Sequence, residues 1–129
     1  MATVGCFSNY LENQVLNREF RGTAPVYLAL FTSTPTDAGP GVEASIMTQY
    51  SRKLITFYES TNSYIINNIT CDFGIVTGAG CTITHWGIFD SPDTNGGTML
   101  AYGDFDPPQT VSVWNNVVVP AGYIKISLD

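Results

Sequence analysis

The sequence predicts a mainly β protein, an antiparallel β-sandwich (jelly-roll-like or barrel-like) with one N-terminal α-helix. Three observations carry this. Six to eight short apolar runs alternate with clusters of Gly, Pro, Asn, Asp and Ser, as in sandwiches and barrels. The run Thr82–Phe89 leads to Asn95-Gly96, and Asn-Gly supplies the two positive-φ positions of a type I′ hairpin turn. Only one segment has helical periodicity. A chain of 129 residues points to one domain, with a helical segment over 1–24 and the β-sandwich over 25–129.

The helix is expected over about residues 8 to 20, because Phe7, Leu11 and Val15 recur at i, i+4 and Leu16 and Phe20 continue the apolar side. Asn9 with Glu12 gives a start and Gly22 a stop, while Arg18 and Arg21 suit the dipole at the last turn. Next, Pro25 to Thr32 is apolar on both faces and reads as a central strand. Residues 34–41 are dense in turn formers and read as a loop. Strands are expected over 52–58, 63–73, 81–89 and 99–105, the last broken by Pro107-Pro108. Thr110–Val119 and Tyr123–Leu128 close the chain around the turn Pro120-Ala121-Gly122, and both termini read as structured.

Composition narrows the function. Hydrophobic residues make up 44% and charged residues only 12%, where about a quarter is usual. So few charges point to surface covered by neighbouring subunits. A net charge of −6, with basic residues only at Arg18, Arg21, Arg52, Lys53 and Lys125, argues against a nucleic-acid partner. The start Met1-Ala2-Thr3 lacks the basic, then apolar pattern of a signal peptide, and no run approaches the ~18 apolar residues of a membrane span, so neither secretion nor a membrane partner is expected. Cys6, Cys71 and Cys81 have no CxxC spacing and read as reduced thiols, with a Cys71–Cys81 link left open. Asn68-Ile69-Thr70 is a glycosylation sequon that reads as chance without a secretory route.

No motif builds a catalytic site, a metal site or a cofactor site. His85 is the lone histidine, and with strict strand alternation it shares a face with Cys81, Ile83, Gly87 and Phe89. At roughly 3.3 Å per residue Cys81 lies about 13 Å away, too far for a dyad, so His85 reads as structural. Asp90, Asp93 and Asn95 resemble part of a calcium loop, but Ser91 takes the first ligand position and Tyr102 the place of the bidentate glutamate. They read as turn formers. Acid pairs for glycoside cleavage could be drawn from Glu43, Glu59, Asp72, Asp104 and Asp106, as in any chain with acids on strands. Gly78-Ala79-Gly80 reads as a flexible turn. Phe31, Phe57 and Phe89 read as core. Trp86, Trp114, Tyr50, Tyr58, Tyr64 and Tyr102 could stack on sugars or anchor an interface.

A family pattern runs through these residues. Tyr27-Leu28-Ala29-Leu30-Phe31-Thr32-Ser33-Thr34-Pro35-Thr36-Asp37-Ala38-Gly39 resembles the opening strand and loop of small structural proteins of tailed bacteriophages, often labelled tail-fibre or minor structural proteins. Gly41-Val42-Glu43 and Tyr50-Ser51-Arg52 follow in the family's order. Thr84-His85-Trp86-Gly87-Ile88-Phe89-Asp90 resembles its best-marked motif, and Asn95-Gly96-Gly97, Leu100, Tyr102-Gly103 and Ala121-Gly122 through Leu128-Asp129 continue the likeness. Where the family often has tryptophan-glycine before this strand, the chain has Gly80-Cys81. The resemblance implies a non-enzymatic virion component made in the bacterial cytoplasm. Its compactness and acidity suit a capsid decoration (cement) protein on the head surface, a homotrimer binding the major capsid protein. The alternative is a tail- or tail-fibre-associated module that binds a receptor glycan through Trp and Tyr.

Overall fold

A computed structural model describes residue 3 and residues 5–128; what was read from Met1, Ala2 and Asp129 lies outside the described residues. The order is α1 (Asn9–Phe20), β1 (Val26–Phe31), β2 (Lys53–Ile55), β3 (Tyr64–Ile66), β4 (Cys71–Ile75), β5 (Cys81–Phe89), β6 (Met99–Val111), β7 (Asn116–Val119) and β8 (Lys125–Ser127). All pairings are antiparallel, in a four-stranded sheet β2-β1-β5-β6 and two-stranded sheets β3-β8 and β4-β7. They are not closed into a barrel, so the open form of the expected architecture is the one adopted. Leu28 and Leu30 of β1, Phe73 of β4, Trp86 and Ile88 of β5, and Val117 and Val119 of β7 meet in the main core.

As expected, β1 is central and buried on both faces. Leu28 and Leu30 face the main core, while Ala29 and Phe31 join Phe89 in a second cluster on the other side of the sheet. The glycines of the strand motifs have a steric cause. A Cβ on Gly87 would stand 2.6 Å from the Phe31 ring, and one on Gly103 would stand 2.5 Å from Trp86. Each lets a buried aromatic ring lie flat on the backbone.

Several expectations need correction. The helix is capped by Ser8, whose Oγ accepts from the Leu11 N–H at 3.3 Å, and Asn9 is already helical. Its inward face is largely polar: Glu12 and Leu16 are buried, whereas Phe7 and Leu11 are exposed. Polar anchors decide this. Ser63 Oγ donates to Glu12 Oε1 at 2.8 Å, Ser60 Oγ to Asn13 Oδ1 at 2.7 Å, and the Ser60 N–H to Asn17 Oδ1 at 2.8 Å. Three helix side chains are thus satisfied at once, buried Glu12 among them, and an inward-turned face without these partners would leave polar groups unpaired.

The strand expected over 63–73 is two strands, β3 and β4, parted at Asn67. The strand expected over 99–105 continues through Pro107-Pro108 to Val111, because both prolines fall in the register break between Asp104 and Gln109, where β6 has no partners on β5. Thr110–Val119 is not one strand: Ser112–Asn115 form a turn between β6 and β7. The β5–β6 connection is not a two-residue type I′ turn. Asn95 (φ 61°) and Gly97 (φ 70°) are left-handed, within a longer loop closed by Asp90 N–H to Thr98 O. Finally, the β5–β6 register shifts between Ile83 and His85, and this bulge inverts the alternation. Ile83 therefore faces the main core with Trp86 and Ile88, while His85 lies opposite Phe31 on the other face.

Candidate functional site

The residues singled out in the sequence scatter. His85 is half-buried, and its Nδ1 lies 2.8 Å from Thr84 Oγ1. The bulge puts it on the face away from Cys81, so the two side chains do not share the face that strict alternation would give them. All three cysteines are free; burial pushes the Cys71 thiol up to about 11, partly opposed by the charge of Lys53, and burial raises Cys81. The Asp90 carboxylate accepts the Thr98 N–H at 2.7 Å and closes its own loop. Among the described residues no group of three His, Cys, Asp or Glu side chains comes together as a metal site.

Glu43 is the centre of a buried ion-pair network. Its carboxylate receives Arg52 Nη2, Arg52 Nε at 3.2 Å, the Tyr50 hydroxyl and the Asn95 N–H at 2.8 Å. Arg52 Nη1 donates at 2.9 Å to both Ser91 O and Gly96 O, and its guanidinium lies 3.8 Å over the Phe89 ring. Both side chains are essentially inaccessible, at 0% and 1%. Burial alone would raise the Glu43 pKa, but the bonds from Arg52, Tyr50 and Asn95 and the Arg52 charge outweigh it and hold the carboxyl below its ordinary value. Burial and Glu43 together push the Tyr50 phenol far up. With no solvent access this network does no chemistry; it locks the 90–98 loop onto the 43–52 segment. Tyr50, a candidate sugar platform from sequence, is thereby part of the interior.

Solvent-facing chemistry gathers elsewhere. A cleft of about 600 Å³ opens where the outer part of β6 meets β7, two strands that are not hydrogen-bonded to each other. Leu30, Ile83, Val117 and Val119 form its floor. Asp104, Asp106, Gln109, Asn116 and Tyr123 stand exposed around it. Neither carboxylate is held in an ion pair among the described residues. Tyr123 is 71% exposed yet its backbone is fixed from both sides, because Asn67 Oδ1 accepts the Gly122 N–H at 3.0 Å and the Ile124 N–H at 2.9 Å. An apolar floor, an exposed aromatic face and a ring of amides and carboxylates can hold a polyhydroxylated ring: the aromatic covers its C–H face and the polar groups pair with its hydroxyls.

Sequence reasoning flagged Asp104 and Asp106 only as two of five acids, and missed Gln109, Asn116 and Tyr123. Asp104 and Asp106 both come from β6, but no local signal joins them to residues from β7 and the 120–124 turn. Of the sequence-flagged aromatics, Trp86 is core, Tyr64 packs under Lys125, and Tyr58 and Trp114 are exposed away from the cleft lining. Trp114 (φ 75°) sits on the β6–β7 turn, its N–H donating to Val76 O at 2.9 Å. Tyr102 donates to Asp37 Oδ1 at 2.6 Å, tying the 34–41 loop to β6, and that bond raises its pKa. A wider groove of about 820 Å³ separates α1, the start of β6 and β8.

The fold is thus a mainly β one whose buried ion pair ties loops together and whose exposed polar groups stand around an open cleft. The family model of the podophage GP4 fiber I protein gp80 matches residues 6–127, and the chain belongs to that family. It is a phage virion structural protein, a tail fibre component, and not an enzyme. The match supports the tail-fibre alternative and not the head-surface decoration role expected above: compactness and acidity do not separate a shell clamp from a fibre module, and the family is one of fibre proteins. No curated protein matches the chain.

Proposed function

We propose that the chain is a receptor-binding module of the tail fibre and holds a host-surface glycan in the β6–β7 cleft. The observation that supports this best is the lining itself, in which exposed Tyr123 is brought together with Asp104, Asp106, Gln109 and Asn116 around an apolar floor. Tyr123 supplies the stacking face, and the amides and carboxylates orient the hydroxyls. Under this reading the partner is a glycan, with no need for the major capsid protein. Assembly with further copies, expected as a trimer, would set several clefts side by side and raise weak single-site affinity through effective concentration.

The test is binding of fluorescently labelled protein to intact cells of the phage's host. Tyr123→Ala should lower binding at least about tenfold, the loss of one aromatic platform worth ~1.4 kcal/mol. Because Tyr123 is largely exposed, the unfolding midpoint should stay within about 0.5 kcal/mol of wild type. Unchanged binding by a folded Tyr123→Ala protein would remove the cleft from the receptor site.

A further inference from the structure

We infer that the glycan taken by the cleft is an uncharged one, free of carboxylate, phosphate and sulfate groups. This rests on the glycan-binding reading above and names its ligand class. Asp104 and Asp106 are among the residues that line the cleft, and no Lys, Arg or His is. Among the described residues no basic side chain reaches the cleft from elsewhere as part of its lining. Arg52 is sealed against Glu43, Arg18 lies 3.5 Å from Glu19, Arg21 Nε donates to Phe57 O at 3.2 Å, and Lys53 donates to Ser51 Oγ at 3.1 Å. Lys125 stands over the Tyr64 ring and lines the other groove. An anionic sugar would thus enter a site of like charge on a chain of net charge −6, with no cation to offset its desolvation.

An uncharged pyranose meets the opposite situation. Its hydroxyls are donors, and an ionised carboxylate is an acceptor only, so each of Asp104 and Asp106 can take hydroxyl hydrogens without competition. Gln109 is partly committed, since its Nε2 donates to Pro107 O at 2.8 Å; its carbonyl oxygen stays available as a further acceptor. Asn116 supplies both donor and acceptor. The cleft is therefore rich in acceptors, which matches a ligand rich in hydroxyl donors and mismatches one rich in anionic oxygens.

The experiment uses surface polysaccharide extracted from host cells and separated by anion exchange into neutral and acidic fractions, each titrated with the full chain. The neutral fraction should bind at least tenfold more tightly than the acidic one, and Asp104→Asn with Asp106→Asn should weaken neutral binding while narrowing that preference. Equal or tighter binding of the acidic fraction would overturn the charge assignment and leave glycan binding standing. Binding to neither fraction would overturn the glycan reading itself.

Discussion

Arg52→Leu should destabilise the protein by about 3–5 kcal/mol, the usual cost of removing one member of a buried ion pair. The substitution leaves the Glu43 carboxylate sealed inside with only Tyr50 and the Asn95 N–H, and strips Ser91 O and Gly96 O of their donor. It also removes the cation over Phe89. Urea denaturation reads the loss directly. By contrast, Arg18→Ala at the exposed Arg18–Glu19 pair should move stability by no more than about 0.5 kcal/mol. Replacing both Glu43 and Arg52 by leucine should recover only part of the loss, because the loop carbonyls and the Asn95 N–H would still lack partners.

The same network sets a pH dependence. Glu43 has a folded pKa below its ordinary value of 4.5, so its stabilisation is fully present above 4.5 and is lost as the pH falls through the lower folded value. In Arg52→Leu the sign reverses. Burial then dominates, the folded carboxyl prefers its proton, and the variant loses stability as the pH rises. The gap between wild type and variant should therefore shrink below pH 4.5. A gap that is constant with pH would show that charge burial is not its source.

Asn67→Ala should cost roughly 2–4 kcal/mol, the scale of leaving buried polar groups unpaired. Asn67 is wholly buried, and its side chain makes four bonds: Nδ2 to Ile69 O at 3.0 Å and Pro120 O at 3.1 Å, and Oδ1 from the Gly122 and Ile124 N–H groups. Hydrogen exchange should show faster opening at Gly122 and Ile124 than at β1 or β5, since the damage is local to that turn. Because these two amides flank Tyr123, glycan binding should weaken as well, although Asn67 does not line the cleft. Asn67→Asp keeps the acceptors but aims a carboxylate at two carbonyl oxygens. It should be about as harmful at neutral pH and milder once protonated, when the acid can donate to one of them.

How far the sequence reveals this molecule depends on the range of the interaction. The strands β1 and β5 are legible because a strand buried on both faces must be apolar throughout, and glycine beside aromatics signals close backbone approach. The helix is legible in extent but only partly in orientation. Leu16 and Phe20 of its apolar side face the core, while Asn13 and Asn17, polar by any scale, dock it onto Ser60 and Ser63. Asn67 reads as an interior strand residue because its partners lie across the chain at Pro120–Ile124. The bulge at His85 inverts a face for the same reason, since register is fixed by the neighbouring strand. The cleft is the extreme case: β6, β7 and the 120–124 turn contribute single residues that only topology brings together.

Adsorption competition tests the central claim most directly. Host cells are pre-incubated with an excess of the free full chain, then exposed to phage, and the adsorption rate is measured. Wild-type protein should slow adsorption in a dose-dependent way, and equally folded Tyr123→Ala protein should not. Undiminished adsorption at concentrations that saturate the cell surface would contradict a receptor-binding role, and competition by both proteins alike would place the receptor contact outside the β6–β7 cleft.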